Sequence, residues 1–196
     1  LSAALIYSVN FFSLAQQTTK ATSVSFAFTG DVMMGTNFPE NYITPDRGKT
    51  LFKNCKELLK SADLAIINME GTCYEGNPNT YYIFRSPVDH AQHLSDAGID
   101  IVNFANNHSY DFGQTGREKT IQTLRGVGVA LSGIRELAEG CVLERKGLKI
   151  GYVSFAASCT NVNDMLNDEE VERLVKKYRG LCDILVVGFH GGAEGV

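Results

Sequence analysis

The sequence predicts an α/β domain with a mainly parallel sheet covered by helices, and three observations support this fold class. Short apolar runs rich in β-branched residues alternate with helical stretches, which is the pattern of strand–helix–strand units. Hydrophobic residues make up 44% of the chain and charged residues 20%, as in proteins with a buried core. The length of 196 residues fits one domain of ordinary size.

Seven strands are predicted where apolar runs are bounded by turn residues. The run DLAIIN is continuous, as expected for a buried strand, and DILVVGF is a second apolar run. The Lys146-Gly147 turn joins two runs as a hairpin, which we expect to be an antiparallel addition to the parallel sheet. In chain order, the predicted strands span residues 23–29, 63–68, 100–105, 129–132, 141–145, 149–155 and 183–189.

Four helices are predicted from the spacing of apolar residues and from signals at the helix ends. The first helix has one apolar face, formed by Leu51, Cys55, Leu58 and Leu59. The second has Pro87 at its first position and is closed by Gly98, and Gly126 ends the third. In chain order, the predicted helices span residues 51–60, 86–94, 115–125 and 168–178.

The composition argues against several classes of protein. A formal charge of −4, from 18 Lys and Arg against 22 Asp and Glu, provides no basic face for nucleic acid. The apolar content, with 19 Gly and 4 Pro, disfavours disorder, collagen and coiled coil. A globular domain without a nucleic-acid partner remains.

The N-terminal residues 1–15 resemble the remnant of a secretory signal. This stretch is apolar and uncharged, and it ends in Ser-Leu-Ala, the small-x-small pattern that signal peptidase accepts. It is shorter than the roughly 20 residues that span a bilayer, although a buried first helix or an uncleaved anchor remains an alternative. Residues 16–22 would then be a spacer before a domain over 23–196. We therefore expect an exported protein in the periplasm or at the cell surface.

The five cysteines form neither a CxxC pair nor a zinc-finger spacing. Small apolar core positions are expected for Cys55, Cys141 and Cys182. Cys73 and Cys159 both follow strands, so a disulfide between them remains open.

Four predicted strands end in residues that bind metals or transfer protons. Because the carboxyl ends of parallel strands meet at one edge of a sheet, these side chains would share a site. Their carboxylate, amide and imidazole groups suit Mn²⁺, Zn²⁺ or Fe, and Glu70 is the candidate to bridge two ions. The strand-end residues are Asp31, Asn68, Glu70, Asn106, Asn107, His108 and His190.

Each of these residues also has a simpler interpretation. Asp31 would be a helix cap or a turn residue, His190 would cap backbone groups, and the two asparagines would hold a tight turn. Asp111 either orients the imidazole of His108 or caps the following helix. His90 and His93 lie three residues apart on a helix without a third ligand nearby, so we expect them to be solvated helix residues.

The motifs GDVMMG, N-x-E-G, AGIDIVNFANNHSYDFG and H-G-G together resemble the bacterial capsule-synthesis CapA (PgsA-like) family, a branch of the calcineurin-like metallophosphoesterase superfamily. The resemblance covers residues 23–196 and implies a four-layer αββα sandwich of the metallo-dependent phosphatase type. It also implies that a last G-H-x-x-H motif lies beyond Val196, which would make the domain C-terminally incomplete.

The resemblance implies a role for each site residue. Asp31 would ligate the first of two metal ions and Glu70 would stand at the bridging position. Asn107 and His190 would ligate the second ion, and His108 would protonate a leaving group or stabilise the phosphoryl oxygens. Two departures affect this site: Met33 stands where the superfamily has a histidine ligand, and Gly191-Gly192 replaces the Trp-Gly common in the family.

Three functions are consistent with these residues. The first is an exported CapA-like protein of capsule or poly-γ-glutamate synthesis with a metal-dependent hydrolase or transferase-like site, working in a membrane-bound synthesis complex. The second is a non-catalytic module that binds the polymer, and the third is a generic secreted metallophosphoesterase. Since the protein is acidic, contact with an anionic polymer or its precursors would need metal or local cations, for which Arg85 and Arg117 are candidates.

Overall fold

The computed structural model describes residues 23–192 of the chain. The predicted signal remnant at 1–15 and the spacer at 16–22 lie outside the described residues. Within the described part, no helix has the length and apolar character needed to cross a membrane.

Nine strands and four helices make up the described part of the chain. The strands are β1 Phe26–Val32, β2 Leu64–Met69, β3 Thr72–Cys73, β4 Arg85–Ser86, β5 Ile101–Asn103, β6 Ala130–Ser132, β7 Gly140–Arg145, β8 Leu148–Ala156 and β9 Ile184–His190. The helices are α1 Lys56–Ser61, α2 His90–Asp96, α3 Gly113–Gly126 and α4 Asp168–Arg179. The two-residue strands β3 and β4 were not predicted, because so short a pair carries no periodic pattern.

The strands form two main sheets. The first has the order β1-β2-β5-β6 and is entirely parallel. The second has the order β7-β8-β9, with an antiparallel β7–β8 pair and a parallel β8–β9 pair. The hairpin is confirmed, and its turn residues Lys146 and Gly147 both have positive φ, at 52° and 73°. The prediction that it extends the parallel sheet is wrong, because β8 pairs with β9 and forms a separate sheet.

Apolar side chains divide the molecule into four layers. Ile66 and Ile101 of the first sheet pack with Tyr152 of the second, so the sheets meet face to face. The opposite face of the first sheet packs on α2 and α3 through Leu94 and Leu124. Leu174 and Tyr178 of α4 cover the outer face of the second sheet. This order confirms the αββα sandwich, and it explains why every residue of β2 is buried.

Several element boundaries differ from the prediction. Residues 51–55 form turns, so helical periodicity begins only at Lys56; Leu59 is buried and Leu58 is 72% exposed. Leu58 therefore does not belong to the predicted apolar face.

The carbonyl of Pro87 accepts a hydrogen bond from His90 N in a turn, and α2 begins three residues after Pro87. Pairing of β1 with β2 resumes beyond an irregularity, so Asp31 lies within β1.

Candidate functional site

The carboxyl ends of four strands meet at one edge of the molecule and bring polar side chains together. Asp31 lies near the end of β1, Glu70 follows β2, Asn107 and His108 follow β5, and His190 ends β9. The two sheets contribute jointly, since β9 belongs to the second sheet and the other three strands to the first.

His190 lies at the centre of these side chains. Its Nε2 is 2.9 Å from Asn107 Oδ1 and 3.8 Å from Glu70 Oε1. Its Nδ1 is 3.6 Å from Asp31 Oδ1. One imidazole therefore contacts residues from three other strand ends.

Asn68 and Asn106 form hydrogen bonds that stabilise this arrangement. Asn68 Nδ2 donates to Asp31 Oδ1 at 2.7 Å and lies 3.1 Å from His190 Nδ1. Asn68 Oδ1 accepts from Asn106 Nδ2, which also donates to the carbonyl of Met69. Asn106 Oδ1 in turn accepts from the backbone N–H of His108. Both asparagines are buried, so they position the site rather than face solvent.

His108 is oriented by Asp111. The His108 Nδ1 atom lies 2.9 Å from Asp111 Oδ2, which also accepts a hydrogen bond from the backbone N–H of Phe84. The other ring nitrogen, Nε2, lies 3.9 Å from Glu70 Oε1, and the Phe84 ring centroid is 4.3 Å from that of the imidazole. Helix α3 has Phe112 at its N-cap without a side-chain bond, so Asp111 orients the histidine and does not cap the helix.

Glu70 is a buried carboxyl group at the end of β2. Burial raises the pKa of Glu70, the charge of Asp31 raises it further, and His190 and His108 oppose the shift. Gly71, which follows it, has φ of 126°, and a Cβ at this position would lie 2.5 Å from the carbonyl oxygen of Phe84. The glycine of the N-x-E-G pattern is therefore required by the backbone.

The side chains at this edge carry the types of donor atom that bind divalent metal ions. Carboxylate, amide and imidazole groups are ligands of Mn²⁺, Zn²⁺ and Fe. Across residues 23–192, however, no three His, Cys, Asp or Glu side chains are grouped as a metal site. Asp31, Glu70 and Asn107 each approach the His190 ring, at 3.6, 3.8 and 2.9 Å, so these four side chains are the ones that would hold an ion.

Comparison with known proteins assigns the family. Residues 25–196 match the model of the family described as bacterial capsule synthesis protein PGA_cap. The chain belongs to this family. It is also 25% identical over 195 residues to the PGA biosynthesis protein CapA of Bacillus subtilis (strain 168), with 87% of this chain and 50% of that protein covered. The chain thus spans about half the length of this relative.

Solved structures support the fold of the PGA_cap chain. A phosphatase from Mycoplasma pneumoniae superposes with a TM-score of 0.55 at 20% identity, covering 87% of this chain and 56% of that one. The calcineurin-like phosphoesterase YfkN from Bacillus subtilis gives 0.52 at 14% identity, covering 87% and 63%. The fold of this PGA_cap protein is therefore that of the calcineurin-like phosphoesterases.

A cavity of about 350 Å³ lies beside His108 in this PGA_cap chain. Asn107, His108 and Asp111 form one side, and Tyr82, Tyr110 and Thr160 contribute to its wall. Tyr82 belongs to an exposed aromatic cluster with Phe38 and Tyr81, whose ring centroids lie 4.4 and 5.3 Å from its own. This cluster was not predicted from the sequence, although Tyr81 and Tyr82 are adjacent in a loop.

Two histidines outside the site differ from each other in environment. His90 is fully buried, so the prediction that it is solvated is wrong; it faces the core with Ala91 and Leu94 of α2. Within residues 23–192, neither ring nitrogen of His90 makes a hydrogen bond of normal geometry, and burial lowers the pKa of this imidazole. The Nε2 atom of the half-buried His93 lies 3.0 Å from the carbonyl of Arg47.

The two arginines that the sequence suggested for polymer contact have different environments. Arg117 is fully buried and bonds backbone carbonyls, so it is not available to a polymer, whereas Arg85 bonds Asn41.

All five cysteines are free thiols. The disulfide considered between Cys73 and Cys159 is therefore not formed. Met33 is 49% exposed.

Proposed function

We propose that this protein is an exported metal-dependent hydrolase or transferase that acts in the synthesis of an anionic capsule polymer such as poly-γ-glutamate. Membership of the PGA_cap family supports the role in capsule synthesis. The contact of His190 with Asp31, Glu70 and Asn107 is the observation that carries the metal-dependent part. The proposed export follows from the signal-like pattern of residues 1–15.

In this proposal, Asp31, Glu70, Asn107 and His190 would hold divalent ions, and Glu70 would be the candidate bridging ligand. Such ions, when bound, supply Lewis-acid stabilisation of the oxygen atoms of the reacting group. The identity of the metal is open among Mn, Zn and Fe, all of which accept these donors. The reacting group is a phosphoester or an acyl or amide carbon.

His108 would transfer the proton that the reaction needs. With Nδ1 bonded to Asp111, the remaining nitrogen, Nε2, faces Glu70 and gives its proton to the leaving oxygen or nitrogen. The Asp111 carboxylate stabilises the imidazolium and fixes the ring plane. Replacing His108 by Gln should lower turnover by about 10²–10⁴-fold.

A second candidate is a non-catalytic module that binds polymer and works with a membrane-bound synthesis complex. Met33, a thioether at the position where the superfamily has a histidine ligand, favours this alternative.

Metal analysis of the full-length protein tests the proposal. We expect about two equivalents of transition metal in the wild type and loss of metal in Asp31→Ala and His190→Ala. Glu172→Ala, which removes an exposed carboxylate from α4, is the control that should retain metal. A wild type without stoichiometric metal would favour the binding module.

Turnover separates the remaining functions. A metal-loaded protein that hydrolyses small phosphoesters with Mn²⁺ would support the generic secreted phosphoesterase. A metal-loaded protein that leaves such esters intact but cleaves or transfers poly-γ-glutamate would support the proposal.

A further inference from the structure

A second cavity, of about 330 Å³, lies between the segment 48–56 and the C-terminal half of α2. It shares no lining residue with the candidate metal site. Its titratable lining consists of Lys49, Lys53, Lys56, His93 and Asp96, and we call it the lysine pocket.

The three lysines carry positive charge that the described part of the protein does not neutralise. None of them forms an ion pair with residues 23–192, whereas the neighbouring Arg47 pairs with Asp89. Asp96 is the one acidic residue in the lining, and its Oδ1 accepts a hydrogen bond from Gln92. The pocket therefore has an excess of positive charge on a chain whose formal charge is −4.

The lining is also held in shape. Gly48 has φ of 84°, and a Cβ there would lie 2.8 Å from His90 Nε2 and 3.0 Å from His93 Cδ2. The contact of His93 Nε2 with the Arg47 carbonyl orients the second imidazole. The backbone that carries Lys49 thus packs directly against α2, while Lys49 and Lys53 are exposed and Lys56 is half-buried.

We infer that the lysine pocket binds carboxylate groups of the anionic polymer and holds the chain on the protein. The identity of the polymer rests on the proposed function. Each ammonium group supplies up to three hydrogen-bond donors to carboxylate oxygens. One exposed ion pair is weak, but successive carboxylates of one polymer engage several lysines at once, and rebinding within a chain is intramolecular. This pocket takes the role that the sequence suggested for Arg85 or Arg117.

Binding of fluorescent poly-γ-glutamate to the full-length protein tests this inference. The variant Lys49→Ala/Lys53→Ala/Lys56→Ala is compared with Lys119→Ala/Arg125→Ala/Lys149→Ala. Each variant removes three positive charges that make no ion pair within the described chain, so the two have equal net charge. Thermal unfolding checks that both remain folded.

We expect the dissociation constant of the pocket variant to rise about tenfold or more at low salt, and that of the control to change less than about twofold. Binding by the wild type should weaken as salt is added, because the contacts are exposed. Equal weakening of both variants would indicate attraction by net charge alone and would overturn the inference, as would unchanged binding by the pocket variant.

Inorganic polyphosphate, used as a second probe, distinguishes the chemistry of the ligand. If the wild type binds polyphosphate but not poly-γ-glutamate, the carboxylate assignment fails. Metal content, measured on the same samples, separates this inference from the proposed function. If the protein holds metal but does not bind polymer, only the inference about the lysine pocket is overturned. If the protein binds polymer through the lysine pocket but holds no metal, only the metal-dependent site is overturned.

Discussion

The His190 Nε2 atom lies 2.9 Å from Asn107 Oδ1, although 83 residues separate the two in the chain. Asn107 follows β5 of the parallel sheet, and His190 ends β9 of the second sheet. The candidate site is therefore built across the interface of the two sheets. Its geometry depends on how the sheets pack as well as on the individual strand ends.

Asn68 should control metal affinity without being a ligand. It bonds Asp31 and lies against His190, so Asn68→Ala releases two proposed ligands at once. We expect Mn²⁺ affinity to fall about 10–100-fold, as is usual when a residue that orients metal ligands is removed. Titration calorimetry of the metal-free protein measures the change.

The matched control for this variant is Asn163→Ala. Asn163 is equally a buried asparagine, and its Nδ2 donates to the carbonyls of Glu139 and Ser154, neither of which is a candidate ligand. It should lower stability but leave Mn²⁺ affinity unchanged. Equal affinities in the two variants would show that Asn68 has no specific positioning role.

Arg117 should be a major source of stability. Its guanidinium donates to the carbonyls of Ser109 and Thr160 and lies over the ring of Tyr110, and burial lowers its pKa to about 10. Arg117→Met leaves both carbonyls without these donors, at a cost of about 1–3 kcal/mol each in the free energy of unfolding. Urea denaturation measures this loss.

The control for Arg117 is Arg125→Met on the same helix. Arg125 is exposed and donates to a single carbonyl, that of Leu137. We expect this variant to lose less than about 1 kcal/mol. A comparable loss at both positions would contradict the importance of the buried guanidinium.

The protein should lose stability in mild acid because of His90. Burial lowers the pKa of His90 below its ordinary value of 6.5, the charges of His93 and Arg47 also lower it, and Asp89 opposes the shift. The unfolded chain therefore binds the proton at higher pH than the folded chain. The stabilisation is present above pH 6.5 and is lost as the pH falls through the folded pKa.

Thermal midpoints between pH 7.5 and 5 would measure this effect. We expect the wild type to become less stable on acidification, and His90→Asn to show a flatter dependence. If the thermal midpoint of His90→Asn depends on pH as strongly as that of the wild type, other groups cause the acid sensitivity.

The thiols should differ in reactivity. Burial raises the pKa of Cys73 and of Cys141 to about 12, so neither forms thiolate at pH 8. A thiol-specific reagent should therefore modify these two slowly in the native protein. In denaturant we expect five reactive thiols; a count of three would indicate a disulfide in the purified protein.

The sequence by itself determined the elements whose pattern is local. Strand β2 was predictable because a strand buried on both faces must be continuously apolar, and the hairpin was predictable because Lys146-Gly147 suits a turn with positive φ. The strand-end residues were predictable as a group because parallel strands place their carboxyl ends at one edge. No neighbouring residues from elsewhere in the chain were needed for these conclusions.

The tertiary structure decided whatever depends on partners distant in the chain. The local sequence of β8 does not specify that this strand pairs with β9 in a second sheet. The local sequence of α2 likewise does not specify that His90 is buried. Asp111 orients His108 and does not cap a helix, and the backbone N–H of Phe84, 27 residues away in the chain, helps to hold its carboxylate in that position. Local sequence encodes periodicity and turn chemistry, but burial and hydrogen-bond partners arise from long-range packing, so only the folded chain fixes them.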